Sequence, residues 1–242
     1  MLTVYPDSES LSRAAADLFA ERARAAVEAH GRFVVALAGG STPQQTYRLL
    51  AAPPWRGRVP WSGVHVFWGD ERCVPVADPR SNVHTARTTL LDHVPVPAAN
   101  VHPPVCVGVP EEGAARYEAE LRRFFAGGAP RFDLILLGLG EDGHTASLFP
   151  HSPVLAEQER WVRAVYVAGQ DLHRITFTVP LLNAAAAAAF LVAGEAKAEV
   201  LHAVLAGPRQ PRRLPAQLIE PAEGELHWLV DEAAAGRLPR RT

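Results

Sequence analysis

The sequence has few cysteines, no excess of basic charge and no long apolar run. Its two cysteines, Cys73 and Cys106, lack the short spacing of a metal site, which argues against a zinc ribbon or a disulfide scaffold. The formal net charge of −2 provides no electrostatic footprint for nucleic acid or for an anionic membrane. No uncharged stretch reaches the ~18 apolar residues that span a bilayer, and the start "MLTVYPDSES" shows no secretory signal. We therefore expect a cytoplasmic protein with no nucleic-acid partner and no membrane partner.

Apolar runs and amphipathic stretches alternate along the chain, and 48% of its residues are hydrophobic, enough for a sizeable core. The predicted strands are residues 32–40, 63–70, 132–139, 160–168, 188–194 and 226–231. The predicted helices are residues 42–52, 81–94, 111–125 and 195–207, while residues 174–185 fit either type. Strands separated by helices predict an α/β fold with a mostly parallel sheet and helices on both faces. We expect one domain, residues 1–242.

The stretch "FDLILLGLGEDGHTASLFPHS" has glycines in the pattern G-x-G-x-x-G, which raises the question of a dinucleotide-binding turn. Such a turn should open a long helix, yet prolines follow closely, and Glu141 and Asp142 would repel the diphosphate. We expect the glycines instead to let the backbone turn tightly and to present Asp142 and His144 at a strand end. Histidine accepts a proton near neutral pH, so His144 is either a general base or a structural residue that caps the turn. Asp142 could orient it or bind a substrate hydroxyl.

A second candidate loop, "AGGSTP" at residues 38–43, joins a predicted strand to a predicted helix. Ser41 or Thr42 can serve as the helix N-cap, and Pro43 suits the first helical position. The loop is not a Walker loop, which needs a Gly-Lys pair, and Pro43 replaces the last glycine of the nucleophile elbow G-x-S-x-G. Free N–H groups at a helix start form a seat for phosphate, although a well-capped turn explains the same residues. The candidate phosphate-binding residues here are Gly39, Gly40, Ser41 and Thr42.

Two further loops place charged residues at predicted strand ends. In "GDER", Arg72 could clamp a phosphate and Asp70 could accept from a hydroxyl, or the charges could form a self-paired surface loop. In "GEAK", Lys197 lies in the first turn of its helix, where the macrodipole disfavours a cation unless an anion binds beside it. Glu195 could neutralise Lys197 instead.

A metal site has little support in the sequence. His144 and His151 are separated by prolines, and no third ligand joins them at a recognised spacing. With ten histidines in the chain, such pairs arise readily by chance. We expect no metal and no cofactor.

These four loops together resemble one known family. The segments "ALAGGSTP", "WGDERCVPVADPRSN", "GLGEDGHTASLFP" and "FLVAGEAKAEVL" are similar to 6-phosphogluconolactonases, in the same order and at matching separations. The segments "PAQLIEP" and "HWLVD" resemble that family too, so the likeness runs from Val4 to Ala235, with residues 101–113 matching least clearly. The resemblance implies a Rossmann-like α/β domain of the type shared with glucosamine-6-phosphate deaminase. It also implies hydrolysis of 6-phospho-D-glucono-1,5-lactone, in the oxidative pentose phosphate pathway.

The resemblance further implies roles for individual residues and a small phosphosugar lactone as the ligand. The implied general base is His144. The implied phosphate ligands are Arg72, Lys197, Gly40, Ser41 and Thr42. The implied pocket residues are Asp70, Asn82 and Asp142, with Arg174 as a further candidate cation. No oligomeric state is indicated.

Two alternatives have a related fold. Amino-sugar-phosphate isomerases and deaminases open a sugar ring and move a proton, so they need an extra carboxylate, and their corresponding run reads D-G-H-x-A-F-N-E. Aligned on Asp142 and His144, this chain has Phe149 where that glutamate stands, which favours hydrolysis. Sugar-phosphate-sensing domains of transcription regulators carry a DNA-binding helix-turn-helix, for which the chain has no spare basic segment.

Overall fold

The computed structural model describes residues 1–106, 108–126 and 128–239. Its strands are β1 (Leu2–Tyr5), β2 (Phe33–Leu37), β3 (Val64–Trp68), β4 (Asp70–Arg72), β5 (Leu134–Leu137), β6 (Val162–Val167), β7 (Leu172–Phe177), β8 (Ala187–Val192) and β9 (Glu225–Asp231). Its helices are α1 (Ser8–His30), α2 (Ser41–Leu50), α3 (Trp55–Arg58), α4 (Asn82–Thr89), α5 (Pro110–Phe124), α6 (Val179–Asn183), α7 (Ala198–Leu205) and α8 (Glu232–Ala235). Short 3₁₀ turns connect several of these elements, and the turn Glu195–Lys197 leads directly into α7.

Among the described residues, six strands form a parallel sheet in the order β1-β9-β8-β5-β2-β3. Every residue of β2, β5 and β8 is buried. Successive side chains of a strand point to opposite faces. Val35 and Leu37 accordingly belong to the core that includes α1, α2 and α4, whereas Val34 and Ala36 belong to the core that includes α5 and α7. Helices therefore cover both faces, and the predicted α/β fold with a mostly parallel sheet is confirmed. The extent of the domain stays a prediction.

Helix α1 is absent from the predicted elements, although its buried residues Leu11, Ala15, Phe19 and Ala23 repeat every four positions. Asp7 caps its start, because its carboxylate accepts a hydrogen bond from the Ser10 amide over 2.7 Å. The small alanine side chains let α1 lie close to the sheet and obscure the apolar stripe in the sequence.

A second, smaller sheet stands beside the first, with antiparallel strands in the order β4-β7-β6. The expectation that "GDER" is a loop is therefore wrong, because Asp70–Arg72 form strand β4. Pairing of β4 with β7 brings Arg72 opposite Arg174. The predicted strand at residues 160–168 is observed as β6, which pairs with β7 rather than with the parallel sheet. The ambiguous residues 174–185 divide between β7 and helix α6.

The two cysteines form a disulfide bond, Cys73–Cys106, with their Cα atoms 4.9 Å apart. It is a single crosslink and not a scaffold of several bridges. It ties the end of β4 to the segment that precedes α5. The bond is not among the sequence predictions, because a separation of 33 residues carries no pairing signal.

Candidate active site

The predicted loops meet in a cleft at the carboxyl ends of strands β2, β5 and β8, with a volume of about 250 Å³. This is the edge of a parallel sheet at which ligands collect in such folds. The sequence-predicted site residues that line it are Gly39, Gly40, Ser41, Thr42, Asp70, Arg72, His144, Arg174 and Lys197. Asn82 and Asp142 lie outside the lining and contact it through hydrogen bonds to Arg72 and His144.

His144 and Asp142 form a directly hydrogen-bonded pair. The Nδ1 atom of His144 is 2.5 Å from the Asp142 carboxylate, and the same oxygen accepts from the His144 amide over 3.1 Å. Because a carboxylate only accepts, Nδ1 carries the proton, and in the neutral imidazole the lone pair is on Nε2. Partial burial raises the pKa of Asp142, but the hydrogen bonds from His144 outweigh that effect and leave it below its ordinary value. The pair has the arrangement of a base held by an orienting group.

The turn that carries this pair depends on Gly140. A Cβ atom at Gly140 would lie 2.0 Å from Nδ1 of His144 and 2.7 Å from a carboxylate oxygen of Asp142. The Gly140 amide also donates to the His144 carbonyl over 2.8 Å, which closes the turn. Glycine is therefore required here to make room for the two side chains, which agrees with the expectation for the glycine pattern.

Phe149 lies against His144. The two rings stack with centroids 4.3 Å apart, and the guanidinium carbon of Arg174 is 5.3 Å from the centre of the same phenyl ring. Phe149 thus places an apolar ring between the candidate base, His144, and the buried cation, Arg174. An acidic side chain at this position would offer a second proton-transfer group, and the chain has none there.

A buried network surrounds Asp70. Its carboxylate accepts from the Ser147 hydroxyl over 2.6 Å and from the side-chain nitrogen Nδ2 of Asn82 over 3.0 Å. It also lies 3.5 Å from Nη1 of Arg174. Ser147 was not among the predicted site residues. It is fully buried and joins the His144 turn to the Asp70–Arg174 pair. A buried carboxylate satisfied by these donors is suited to hold neighbouring side chains in place.

Arg72 and Arg174 both line the cleft. Nη1 of Arg72 donates to the Asn82 side chain and to the Arg80 carbonyl, each over 2.7 Å. The buried Nε atoms of both arginines have no hydrogen-bond partner among the described residues. Burial lowers the pKa of Arg174, which Asp70 partly opposes and the neighbouring Arg72 reinforces. The two guanidinium groups lie near the carboxylates of Asp70 and Glu71, and at the cleft wall they offer donors that suit an anion.

The glycine loop begins helix α2 without a side-chain cap. The prediction that Ser41 or Thr42 is the N-cap is wrong, because the N-cap is Gly40 with a φ of 110°. That angle lies in a region that glycine adopts readily and other residues avoid. Within the described part of the chain no side-chain hydrogen bond caps the helix, so its first N–H groups stay available at the cleft wall. Tyr47, missed by the sequence analysis, anchors the loop by donating to the Ala38 carbonyl over 2.7 Å.

Lys197 reaches the cleft from the turn before α7. Its ammonium lies 3.7 Å from the carboxylate of Glu141, not that of Glu195 as the sequence suggested. This half-exposed contact contributes little, because solvent screens it. The turn itself is held by Asp231, whose two carboxylate oxygens each accept from the Gly194 amide over 3.0 Å. Asp231 is a buried residue at the end of β9, in the segment "HWLVD", and the sequence analysis assigns it no role.

The described residues contain neither a cluster of metal ligands nor a helix that could cross a membrane. No group of three or more histidine, cysteine, aspartate or glutamate side chains in residues 1–106, 108–126 and 128–239 could hold a metal ion. Over the same residues, none of the helices has the combined length and apolar character that a bilayer crossing needs.

The family model described as glucosamine-6-phosphate isomerases/6-phosphogluconolactonase matches residues 6–228. The chain belongs to this family. It is 48% identical over 217 residues to a 6-phosphogluconolactonase from Synechocystis sp., covering 88% of each chain. It is 42% identical over 239 residues to a 6-phosphogluconolactonase from Nostoc sp., covering 97% of each chain.

Solved structures agree with the fold. The structure of 6-phosphogluconolactonase from Trypanosoma brucei superposes with a TM-score of 0.84 at 27% identity, covering 99% of this chain and 98% of that one. A monomeric glucosamine-6-phosphate deaminase superposes with a TM-score of 0.83 at 20% identity, covering 98% and 99%. Both enzyme types of the family therefore share this architecture, and side chains in the cleft must decide between them.

Proposed function

We propose that the chain is a cytoplasmic 6-phosphogluconolactonase, which hydrolyses 6-phospho-D-glucono-1,5-lactone to 6-phosphogluconate in the oxidative pentose phosphate pathway. The observation that carries the proposal is the His144–Asp142 pair on the same cleft as three cationic side chains, Arg72, Arg174 and Lys197. A base at one side and an anion-binding surface at the other fit a neutral lactone ring with a distant phosphate.

In the proposed reaction, Nε2 of His144 takes a proton from water as the water oxygen attacks C1 of the lactone. The negative charge that develops on the carbonyl oxygen requires an N–H or cationic donor on the cleft wall. The bond from C1 to the ring oxygen then breaks, and the ring oxygen takes the proton from His144 to become a hydroxyl. Asp142 holds the imidazole in the tautomer that this sequence of steps needs.

The phosphate has a different role, because it is remote from the bond that breaks. Its binding energy can be used to position C1 against the base. Arg72 and Lys197 supply the positive charge, and the uncapped start of α2 supplies N–H donors around Ser41 and Thr42. Arg174 also lines the cleft, so its guanidinium belongs to the same cationic surface.

The main alternative is an amino-sugar-phosphate isomerase or deaminase of the same family. Phe149 argues against it, because its ring stacks on His144 at the position where the extra carboxylate would stand. One histidine is sufficient to activate water for ester hydrolysis, whereas an aldose–ketose proton transfer needs a further acid–base group.

The proposed function is tested by a coupled assay on freshly generated 6-phosphogluconolactone, in which a dehydrogenase reports the 6-phosphogluconate formed. Fresh substrate is needed because this lactone also hydrolyses without an enzyme. We expect a rate above the spontaneous one that rises in proportion to protein concentration, and no turnover of glucosamine 6-phosphate. A spontaneous rate at every protein concentration would rule out the lactonase. Sugar-dependent retention of DNA fragments in a mobility-shift experiment would instead favour a regulator.

A further inference from the structure

Glu71 is a buried carboxylate next to the candidate phosphate-binding surface, and the proposed reaction gives it no role. Its side chain is only 3% exposed, and it lies on the short strand β4 between Asp70 and Arg72. Burial raises the pKa of Glu71, and the hydrogen bonds that it accepts oppose this rise. Carboxylates are rarely buried to this degree unless they are paired or fully hydrogen-bonded.

The carboxylate of Glu71 accepts hydrogen bonds from two parts of the chain, Arg72 and residues 81–83. Oε1 accepts from the Arg72 amide over 2.6 Å and from the Asn82 amide over 2.7 Å. Oε2 accepts from the Val83 amide over 2.8 Å and from the Ser81 hydroxyl over 2.9 Å. Glu71 thus fastens the backbone of Arg72 to the first turn of α4, where its negative charge also suits the helix N-terminus.

The same helix start holds the guanidinium of Arg72. The Asn82 side chain accepts from Nη1 of Arg72 over 2.7 Å and donates to the Asp70 carbonyl over 2.9 Å. The first turn of α4 therefore holds both the backbone of Arg72, through Glu71, and its side chain, through Asn82. This arrangement leaves the buried Nε of Arg72 without a partner in the described residues.

The space around Asn82 is also closed. A Cβ atom on Gly39 would lie 1.9 Å from Oδ1 of Asn82, so the glycine loop packs directly on this amide. A shift of the α4 start would consequently disturb Arg72 and the glycine loop together. Both belong to the surface assigned to the substrate phosphate.

We propose that Glu71 is a positioning residue for the phosphate end of the substrate, acting through Arg72 and Asn82 without touching the ligand. This inference rests on the proposed function for the identity of the ligand. A carboxylate is needed because three of its four neighbours are amide N–H groups, which can only donate. A carboxamide at this position turns a donor toward them and cannot satisfy both pairs.

The test compares Glu71→Gln with Glu118→Gln as a matched control. Glu118 is a second buried carboxylate, 5% exposed, which accepts from Arg122 and Arg160 and does not line the cleft. Both substitutions remove a buried charge of similar exposure, so both should lower the melting temperature. A purely structural role for Glu71 would make the two variants alike in every other respect.

For Glu71→Gln we expect kcat/KM on 6-phosphogluconolactone to fall about tenfold, as for a weakened charge-assisted contact. On unphosphorylated glucono-1,5-lactone we expect the parent value, because the described side-chain hydrogen bonds of His144 and Asp142 join these two residues to each other and not to Glu71, Arg72 or Asn82. Glu118→Gln should keep both values. Equal kcat/KM for Glu71→Gln and parent on the phosphorylated substrate, or equal losses on both substrates, would overturn the proposal.

Calorimetric titration with 6-phosphogluconate and with inorganic phosphate separates this inference from the proposed function. If the parent binds phosphate but does not accelerate lactone hydrolysis, the lactonase proposal fails, and the Glu71 proposal still stands or falls on affinity. We expect Glu71→Gln to weaken both ligands about tenfold. Unchanged affinity would overturn the positioning role. Should Glu71→Gln not fold, Glu71→Asp, which keeps the charge but shortens the reach, is measured in the same way.

Discussion

Among single residues, His144 matters most for the proposed hydrolysis, because it is the proposed base. Its Nδ1 is committed to Asp142, so Nε2 is the only ring nitrogen left to accept a proton. Proton transfer by a positioned base typically contributes ~10²–10⁴-fold to the rate. We expect His144→Ala and His144→Asn to lose about that factor in kcat with unchanged circular dichroism. Near-normal turnover in either variant would remove His144 from the mechanism.

Arg72 is expected to act on binding and not on chemistry. Loss of a charge-assisted hydrogen bond costs about 1.5–3 kcal/mol, so Arg72→Ala should lower kcat/KM on the phosphorylated lactone by about tenfold to a hundredfold. Turnover of unphosphorylated gluconolactone should hardly change. If Arg72→Ala treats the two substrates as the parent does, the phosphate is held elsewhere. Steady-state kinetics on both substrates checks this prediction.

The lowered pKa of Asp142 makes a prediction about stability and pH. A carboxyl whose pKa is lower in the folded state stabilises the fold above its unfolded value, about 3.9, and loses that contribution as the pH falls through the folded value. Asp142→Asn should therefore lower the free energy of unfolding at pH 7 by at most about 1 kcal/mol, since the half-exposed pair is screened. The difference from the parent should shrink below about pH 4.

Urea denaturation of parent and Asp142→Asn at neutral and at acidic pH measures that difference. Asp92→Asn is the control, because Asp92 is also exposed, lies outside the cleft and is 4.0 Å from Arg87. A loss for Asp142→Asn that grows on acidification would contradict the sign of the argument.

At the scale of elements, the decisive feature is the turn between β5 and residue 149. A methyl group at Gly140 would collide with His144 at 2.0 Å, whereas a methyl group at Gly169 meets nothing within 4 Å. We expect Gly140→Ala to reduce kcat at least tenfold by displacing the imidazole, and Gly169→Ala to match the parent. Parallel kinetics and melting curves for the two variants check this. Full activity in Gly140→Ala would show that the turn tolerates another geometry.

The elements also show what the sequence can and cannot predict. Strands β2, β5 and β8 could be predicted because they are continuously apolar and are followed by glycines, and their loops bring Ser41, His144 and Lys197 to one edge. The N-cap of α2 could not, because hydroxyl residues signal a cap while the conformation of Gly40 decides it. Helix α1 escaped prediction because alanines form much of its buried face.

Strand β4 is a clearer case of a structure that the sequence pattern does not predict. Three charged residues in succession resemble a solvated loop, yet Asp70 and Glu71 are buried, and Asp70 accepts from Ser147, which is 77 positions away in the sequence. The pairing of Arg72 with Arg174 across β4 and β7 joins residues about a hundred positions apart. Such non-local pairing leaves no local pattern, so the contacts of Ser147 and Asp231 could be found only in the folded structure.

In the whole molecule, residues from both sheets line the cleft. The parallel sheet supplies the loops around Ser41, His144 and Lys197, and the small antiparallel sheet supplies Arg72 and Arg174. A ligand that bridges these parts should stabilise the fold by linkage, by about 2.7 kcal/mol at a concentration one hundred times its Kd. We expect 6-phosphogluconate to raise the melting temperature of the parent and to have a much smaller effect on Arg72→Ala.

Unphosphorylated gluconate is the control in that experiment, because it lacks the anion that the cations are proposed to bind. A rise in melting temperature of equal size for gluconate and 6-phosphogluconate would mean that the cleft recognises the sugar and ignores the phosphate.

The central claim is that one imidazole activates water against a lactone whose phosphate is held across the cleft. The most direct measurement is the hydrolysis of 6-phosphogluconolactone followed by NMR in real time, with the parent and with His144→Ala at equal concentration. The account predicts that the parent removes the lactone far faster than buffer alone and that His144→Ala is close to buffer. Equal rates for parent and buffer, or for parent and His144→Ala, would contradict it.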